Sequence, residues 1–551
     1  MYICTIIRIL GRVFSLVLVK LSRKLNPMIL GQMVEIKHKS DPAKEILIFE
    51  RENKPPEVVT YSKLYFNSQK IASELLRRGL KPKDRFAVYM KNHPEAVYSL
   101  VAASITGTVV VLIDPRNRGE ILKHILKDSQ SKLLIFADYL VDDVKEILPS
   151  IDIKNILVVN SKDEGELRTQ EFDDIGKVLG QPDHKYVNNS VSDLMHPFQI
   201  IYTSGTTGMP KGVVQPNIRF FLMSVLSYFF RYKKNDVLYT GLSLSHGNAQ
   251  AVTVFPAIAR GIKAVVSRRF TKSRLWDISR KYGVTTFSLL GGMASGIYNE
   301  PPKPNDADNP VRMVVSAGTP LAIFESFEKR FNVKILEWYA AVEGGFTCKP
   351  IGKGPSGAFG KRSIPLFIDF KIVDENDKEC PPDVKGELIS KMKLGETKVE
   401  YHGKPDASKD KTRGGWLRSG DICHMDKTGW LFFDYRKGDE LRRHGDFVPK
   451  DLVEKIIGEI EEISDVYIYG ISSKGGAPGE CDIVAAIAAF PGKTIDPKRV
   501  FEFCRKKLPS NFCPTYLQVL PEIPKTPSEK PKDHLLKTTF KTDSPNVYAE
   551  I

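Results

Sequence analysis

Between Tyr202 and Gly212 the chain reads YTSGTTGMPKG, which gathers four Ser and Thr hydroxyls, three glycines and one lysine into eleven positions. Such a set can surround a phosphate, because glycines let backbone N–H groups converge, the hydroxyls add donors and the lysine supplies countercharge. The spacing is not that of a P-loop: Pro210 stands five residues after Gly205, and Gly212 follows Lys211. The dinucleotide pattern G-x-G-x-x-G is absent here too. A polar surface loop is the ordinary alternative, and the density of small donors directly after an apolar run weighs against it. Further on, Glu343 in WYAAVEGG, Asp421 in SGDI, Arg436 in DYRKGD and Lys530 in PKTPSEK are charged residues set in short distinctive stretches. Each alone would more often be solvated surface, a surface ion pair or one more lysine of a basic tail.

The elements that must hold these residues alternate. RFAVYM, TVVVLI, KLLIFA, KNILVV and FQIIYT are short runs rich in β-branched residues, separated by helical stretches such as PEAVYSLVAASITG and RGEILKHILKDS, a rhythm that implies parallel sheets covered by helices. A second series follows in KAVVSR, VTTFSLL, VRMVVSA and VKILEWY, so two sheet units are expected within one large domain. From about Gly357 the pattern becomes antiparallel, as in FKIVDENDKE and CHMDKTGWLFFDY, where polar turn residues separate strands. After Asp439 a compact α+β region is expected, with DLVEKIIGEIEEI, DVYIYGI, DIVAAIAAF and RVFEFCRKKL. No internal repeat is present.

With 551 residues and 42% hydrophobic content, the chain can bury a large core and suggests two or three domains. A formal net charge of +15 favours an anionic partner, whether nucleotide, coenzyme, phospholipid or nucleic acid. A nucleic-acid module is not recognisable, since no aromatics interleave with the charge, and no nucleic-acid partner is expected. The seven cysteines are scattered and never in C-x-x-C spacing, which argues against a disulfide framework or zinc site and for a reducing, intracellular setting. In residues 1–30, Arg8 and Arg12 fall on one helical sector opposite Ile6, Leu10, Phe14 and Val17. Three interrupting charges exclude a spanning helix, so this segment is expected to lie at an anionic membrane surface or, alternatively, to dock on the protein's own core. The protein is therefore expected to be intracellular, either peripherally membrane-associated or cytoplasmic.

The ordered series of YTSGTTGMPKG, ILEWYAAVEGG, WLRSGDI, DYRKGDELRRHGDFV and PKTPSEK resembles the adenylate-forming superfamily of acyl-CoA synthetases, nonribosomal adenylation domains and luciferases over residues 35–540. LLGGMASGIYNEPPKPNDADNPVRMVVSAG and the YRKGDELRRHGDFV spacing look most like the fatty-acid-transport and very-long-chain acyl-CoA synthetase branch. The resemblance implies an α/β fold. A large domain (31–438) of two α/β sheet units plus a small β-barrel-like part would precede a small mobile α+β domain (439–551) carrying the catalytic lysine.

By that likeness the chain is an AMP-forming ligase that uses ATP and Mg2+ to activate a carboxylic acid, then passes the acyl group to CoA. Thr203, Ser204, Gly205, Thr206, Thr207, Gly208 and Lys211 match the phosphate loop, and Glu343 the magnesium-binding glutamate. Tyr339 matches the residue stacked on adenine, with Ser316, Ala317 and Gly318 on the purine's other edges; Asp421 and Arg436 match the ribose and phosphate ligands. Lys530 matches the lysine that bridges carboxylate and α-phosphate. His246 matches the gate of the acyl pocket, with Gly291, Gly292 and Met293 on its wall, the glycines leaving room for a chain. Asp439 occupies the hinge position, while Arg442 and Gly445 belong to the CoA approach. Three residues depart from the pattern: Val342 replaces a threonine, Ala340 a glycine, and Glu529 the glycine before the lysine. Glu529 could stiffen the catalytic loop or pair with the lysine. A fatty acid is the expected substrate. A carnitine- or crotonobetaine-type acid, a low-activity fatty-acid binding or transport protein, and an adenylation module are the alternatives. Oligomeric state is open, a homodimer included.

Overall fold

The computed structural model describes residues 29–161, 171–182, 185–189, 191–203, 209–364, 367–393, 396–437, 441–443, 446–448, 450–472, 481–508, 512–526 and 529–550, with the backbone alone at 226, 442, 446, 447 and 472. The amphipathic stretch of residues 1–28 lies outside this set.

Two large sheets share one hydrophobic core. The first has seven strands in the spatial order Asp173–Asp174, Asn155–Val159, Leu133–Ala137, Arg85–Tyr89, Val109–Ile113, Pro197–Thr203 and Lys211–Pro216. All its pairings are parallel except the last, a hairpin whose turn is the phosphate-loop candidate. Val109–Ile113 and Leu133–Ala137 are buried at every position, as expected for parallel strands covered on both faces. Helix Pro94–Thr106 starts with Pro94 in its first turn and stops at Gly107, whose φ of 72° is left-handed. All of its described positions but Glu95 are buried, so it is packed on all sides.

The second sheet has eight strands in the order Gly344–Cys348, Lys334–Ala341, Met313–Ala317, Thr286–Leu290, Val237–Thr240, Lys263–Ser267, Glu45–Glu50 and Glu57–Thr60. Its far edge comes from the start of the described chain, where Glu45–Glu50 pairs in parallel with Lys263–Ser267. No local periodicity announces that pairing, because its partners are far apart in sequence.

Six antiparallel strands follow, from Ala358–Lys361 at one end of the order to Ser363–Ile364 at the other. Only Arg362 separates those two strands in the chain. Its N–H donates to Gly429 O at 2.9 Å and its carbonyl accepts from Phe370 N–H at 2.8 Å, so the sheet curls back on itself like a barrel. The smaller C-terminal part is a four-stranded sheet, Ile463–Ser472, Cys481–Ala489, Tyr516–Leu520 and Val547–Ala549, with helices Lys450–Gly458 and Pro497–Lys507. It rests on the larger part: Lys272 Nζ donates to Ser464 O at 2.8 Å and lies 5.3 Å from the Phe490 ring centroid. Among the described residues no helix is long and apolar enough to cross a membrane.

Candidate active site

Asp421 sits on strand Leu417–Met425, directly opposite Arg436 on strand Trp430–Arg436. Cross-strand neighbours share a face, and Arg436 Nη1 donates to Asp421 Oδ1 at 3.0 Å. The other oxygen, Oδ2, accepts from Tyr339 Oη at 2.7 Å. Burial and the Asp421 charge push the Tyr339 phenol well above its ordinary range, so it stays a donor. The Tyr339 ring lies against Phe359 with centroids 5.0 Å apart.

Five residues of the phosphate-loop candidate, Ser204 to Gly208, lie outside the described set. Its two flanks are described: Thr203 pairs with Lys211 across the hairpin. Pro210 O accepts from His124 Nε2 at 2.9 Å, which ties the end of the loop to helix Gly119–Asp128. Lys211 Nζ lies 5.7 Å from the centre of the Tyr401 ring. Tyr401 is held beside the hairpin by a bridge to Val213 and donates from Oη to Glu343 Oε1 at 2.8 Å. Burial and Glu343 push the Tyr401 phenol up, while the Arg436 charge acts the other way. Lys211, Glu343 and Asp421 therefore belong to one connected neighbourhood, joined through Tyr401 and Arg436, and Tyr339 and Glu343 line one cleft with Lys411 and Arg418.

Glu343 follows a turn fixed from below. The Val342 carbonyl accepts from Arg219 Nη1 at 2.9 Å and from Gln215 Nε2 at 3.1 Å, and Arg219 also donates to the Gln215 side chain. Burial lowers Arg219 to about 10 while Glu343 raises it, so it remains a guanidinium at neutral pH. Thus Val342 contributes a carbonyl to the scaffold where a threonine would also offer a hydroxyl. Among the described residues no group of three or more His, Cys, Asp and Glu could hold a metal ion. A single half-buried carboxylate, Glu343, fits magnesium that takes its remaining ligands from phosphates and water.

His246 lies on a loop held by Asn92, whose Nδ2 donates to Leu242 O at 2.9 Å and Ser267 O at 2.8 Å while its Oδ1 accepts from Leu244 N–H at 2.8 Å. A π-helical segment, Ala249–Val254, follows, a form that recurs beside functional sites. Burial pushes His246 down to about 4, and the cations of Lys530, Arg116 and Arg219 act in the same direction while Asp114 opposes them. The imidazole is neutral at pH 7. Lys530, from the far end of the chain and itself exposed, is thus among the cations that act on His246.

Ser316 and Ala317 end strand Met313–Ala317, and Gly318 follows with φ 78°. Glu337 Oε1 accepts from Gly318 N–H and Thr319 N–H, each at 2.8 Å, which fixes this loop next to Tyr339. Burial raises Glu337 to about 7, the two backbone N–H bonds acting the other way. Gly291 and Gly292, the glycines expected to leave room for an acyl chain, also stand where other backbone comes close. A Cβ on Gly291 would lie 2.0 Å from Gly318 O, and one on Gly292 would lie 3.3 Å from Glu529 O. Both allow backbone to approach backbone. Met293 is buried in the main core.

Asp439 and Gly445 lie outside the described residues, and Arg442 is described by its backbone, paired with Phe447. Lys530 lies in a tight turn: Thr526 N–H donates to Lys530 O at 2.6 Å and Lys530 N–H to Thr526 Oγ1 at 3.1 Å. Glu529 does pair, and its partner is Arg116 at 2.6 Å. Sequence reasoning missed Tyr401, Arg219, Gln215 and Arg116. Arg219 carries the one available signal, a lone charge within the apolar stretch IRFFLMSVL.

Residues 34–393 match the family described as AMP-binding enzyme, and residues 452–530 match the AMP-binding enzyme C-terminal domain. Over 529 residues the chain is 27% identical to human long-chain fatty acid transport protein 6, covering 90% of this chain and 83% of that protein. In fold it is similar to the anthranilate CoA ligase AuaEII in complex with anthranoyl-AMP, with a TM-score of 0.78 at 17% identity over 93% of this chain and 97% of that one. It is also similar to the O-succinylbenzoate coenzyme A synthetase of Bacillus subtilis in complex with ATP and magnesium, with a TM-score of 0.70 at 20% identity over 92% and 99% of the two chains.

Proposed function

We propose, for a chain that belongs to the AMP-binding enzyme family, that it is an ATP-dependent, AMP-forming ligase which activates a fatty acid and transfers it to CoA. The observation that carries this reading is the connection of Lys211, Glu343, Asp421 and Arg436, from four separate stretches, with Tyr339 and Tyr401, while Lys530 follows Glu529, which its ion pair with Arg116 ties to the larger part.

In the first step a substrate carboxylate oxygen attacks the α-phosphorus of ATP, a P–O bond forms, and the bond to pyrophosphate breaks. Charge builds on a crowded phosphate, so oriented donors and cations stabilise the transition state. Thr203, Ser204, Thr206, Thr207 and Lys211 hold the β- and γ-phosphates, and Glu343 would hold magnesium, which neutralises phosphate charge. Asp421 has two acceptor oxygens for the two ribose hydroxyls, and Tyr339 with the loop 316–318 takes the adenine. Lys530 bridges the reacting carboxylate and the α-phosphate. His246, being neutral, borders the acyl pocket without adding a second cation. In the second step the CoA thiol attacks the acyl carbon and AMP leaves. In this reading the residues from 439 onward pivot at Asp439 between the steps, and Arg442 and Gly445 are assigned to the coenzyme's approach.

The relatives' description as long-chain fatty acid transport proteins and the amphipathic character of residues 1–25 support a lipid acid drawn from an anionic bilayer. Val342, which lacks the expected hydroxyl, favours a second reading, a fatty-acid binding protein with weak catalysis. One panel separates them: acids from about C8 to C24, aryl acids and short acids are given with ATP, Mg2+ and CoA and scored for AMP release. AMP release with the long acids supports the ligase. Acid binding without AMP supports the second reading. Lys530→Ala should lower acid-dependent pyrophosphate exchange by about 10²–10³-fold, equivalent to roughly 3–4 kcal/mol, with ATP binding retained.

A further inference from the structure

Glu529 holds a backbone conformation that glycine would adopt freely, with φ at 62°. Its carboxylate meets Arg116 Nη1 at 2.6 Å, and Arg116 is aimed by Asp114, to which its Nε donates at 2.9 Å and its Nη2 at 3.3 Å. Asp114 is 3% exposed, so the guanidinium is fixed from the buried side. The Glu529 carbonyl meanwhile comes close to Gly292, where an added Cβ would lie 3.3 Å from that oxygen. The side chain of Glu529 thus meets Arg116 and its carbonyl nears Gly292, directly before Lys530.

We propose that Arg116 and Glu529 are positioning residues, a charged latch that holds Lys530 in the site for the adenylation step and must open before the thiol step. This rests on the ligase reading above. The latch replaces the freedom of a glycine with an ion pair, so it favours the seated state without touching substrate. An ion pair this exposed shifts such an equilibrium modestly, by about two- to fivefold.

The test uses the full chain with Glu529→Gly, Arg116→Gln and the double variant. Glycine suits φ 62° better than glutamate does, so a loss in Glu529→Gly does not come from added backbone strain. Pyrophosphate exchange should fall about two- to fivefold in each single variant and no further in the double, with KM for ATP unchanged. Thioester formation from preformed acyl-adenylate and CoA should stay level or rise. Arg116→Lys should restore part of the exchange rate. Exchange at or above the wild-type rate in Glu529→Gly, or additive losses in the double, overturns the latch. Hydrogen exchange of the peptide spanning 525–531 reads the same contact without turnover. It should quicken in both single variants, and unchanged exchange there overturns the latch. If wild type releases no AMP with any acid, the ligase reading fails, while the exchange measurement still decides whether the contact holds the turn.

Discussion

Asp421 shows how much one carboxylate can organise. Both of its oxygens are engaged, one by Arg436 and one by Tyr339, so it stands oriented before a ribose arrives. Asp421→Asn keeps the shape but gives up a charge and one acceptor, and should raise KM for ATP about tenfold, or roughly 1.4 kcal/mol, with a smaller change in kcat; steady-state kinetics at saturating acid checks it. Glu337 makes a pH prediction. Its folded pKa of about 7 lies above the ordinary carboxylate value near 4.5, so between those values the folded state keeps a proton that the unfolded state has lost. Stability conferred at acid pH therefore declines as pH rises through that window. Glu337→Gln should flatten this decline, seen as a Tm that changes less between pH 5 and 7 than in wild type.

At the scale of the element, helix Gly291–Tyr298 contains a useful contrast. Gly291 faces the Gly318 carbonyl with no room for a methyl group, whereas a Cβ at Gly296 would make ordinary contact with Lys272 at 3.7 Å. Gly291→Ala should cost about 1–3 kcal/mol and displace the 316–318 loop, lowering ATP affinity as well as Tm. Gly296→Ala, in the same helix, should be neutral or stabilising by up to about 1 kcal/mol. Equal effects at both positions would show that helix propensity, and not the backbone approach, explains the glycines. The hairpin Thr203 to Lys211 is the companion case. Its strands are announced by FQIIYT and by the turn chemistry between them, yet the side chain its lysine faces, Tyr401, arrives from a segment with no strand pattern of its own.

For the whole molecule, Arg116 and Lys272 of the larger part contact Glu529 and Ser464 of the smaller. Both are polar contacts made by side chains, and relative motion of two parts is the default expectation unless a large apolar interface joins them. Rising salt should weaken the Arg116–Glu529 contact and lower pyrophosphate exchange in wild type more than in Glu529→Gly. Deleting residues 1–25 should release the protein from anionic vesicles at moderate salt, since each basic residue near such a surface contributes about 1 kcal/mol; a flotation assay decides it. The alternation of strands and helices, the antiparallel turn from about Gly357 and the compact end were legible in the chain because they rest on local periodicity and turn chemistry. So was the strand Pro197–Thr203 that leads into the glycine- and hydroxyl-rich loop, from its β-branched run. Pairing of Glu45–Glu50 with Lys263–Ser267, the path from Lys211 through Tyr401 to Glu343, and the seat of Glu529 on Arg116 were decided only in three dimensions. Each joins residues far apart in sequence, and which distant groups meet is fixed by packing of the whole core, which no short window of the chain encodes.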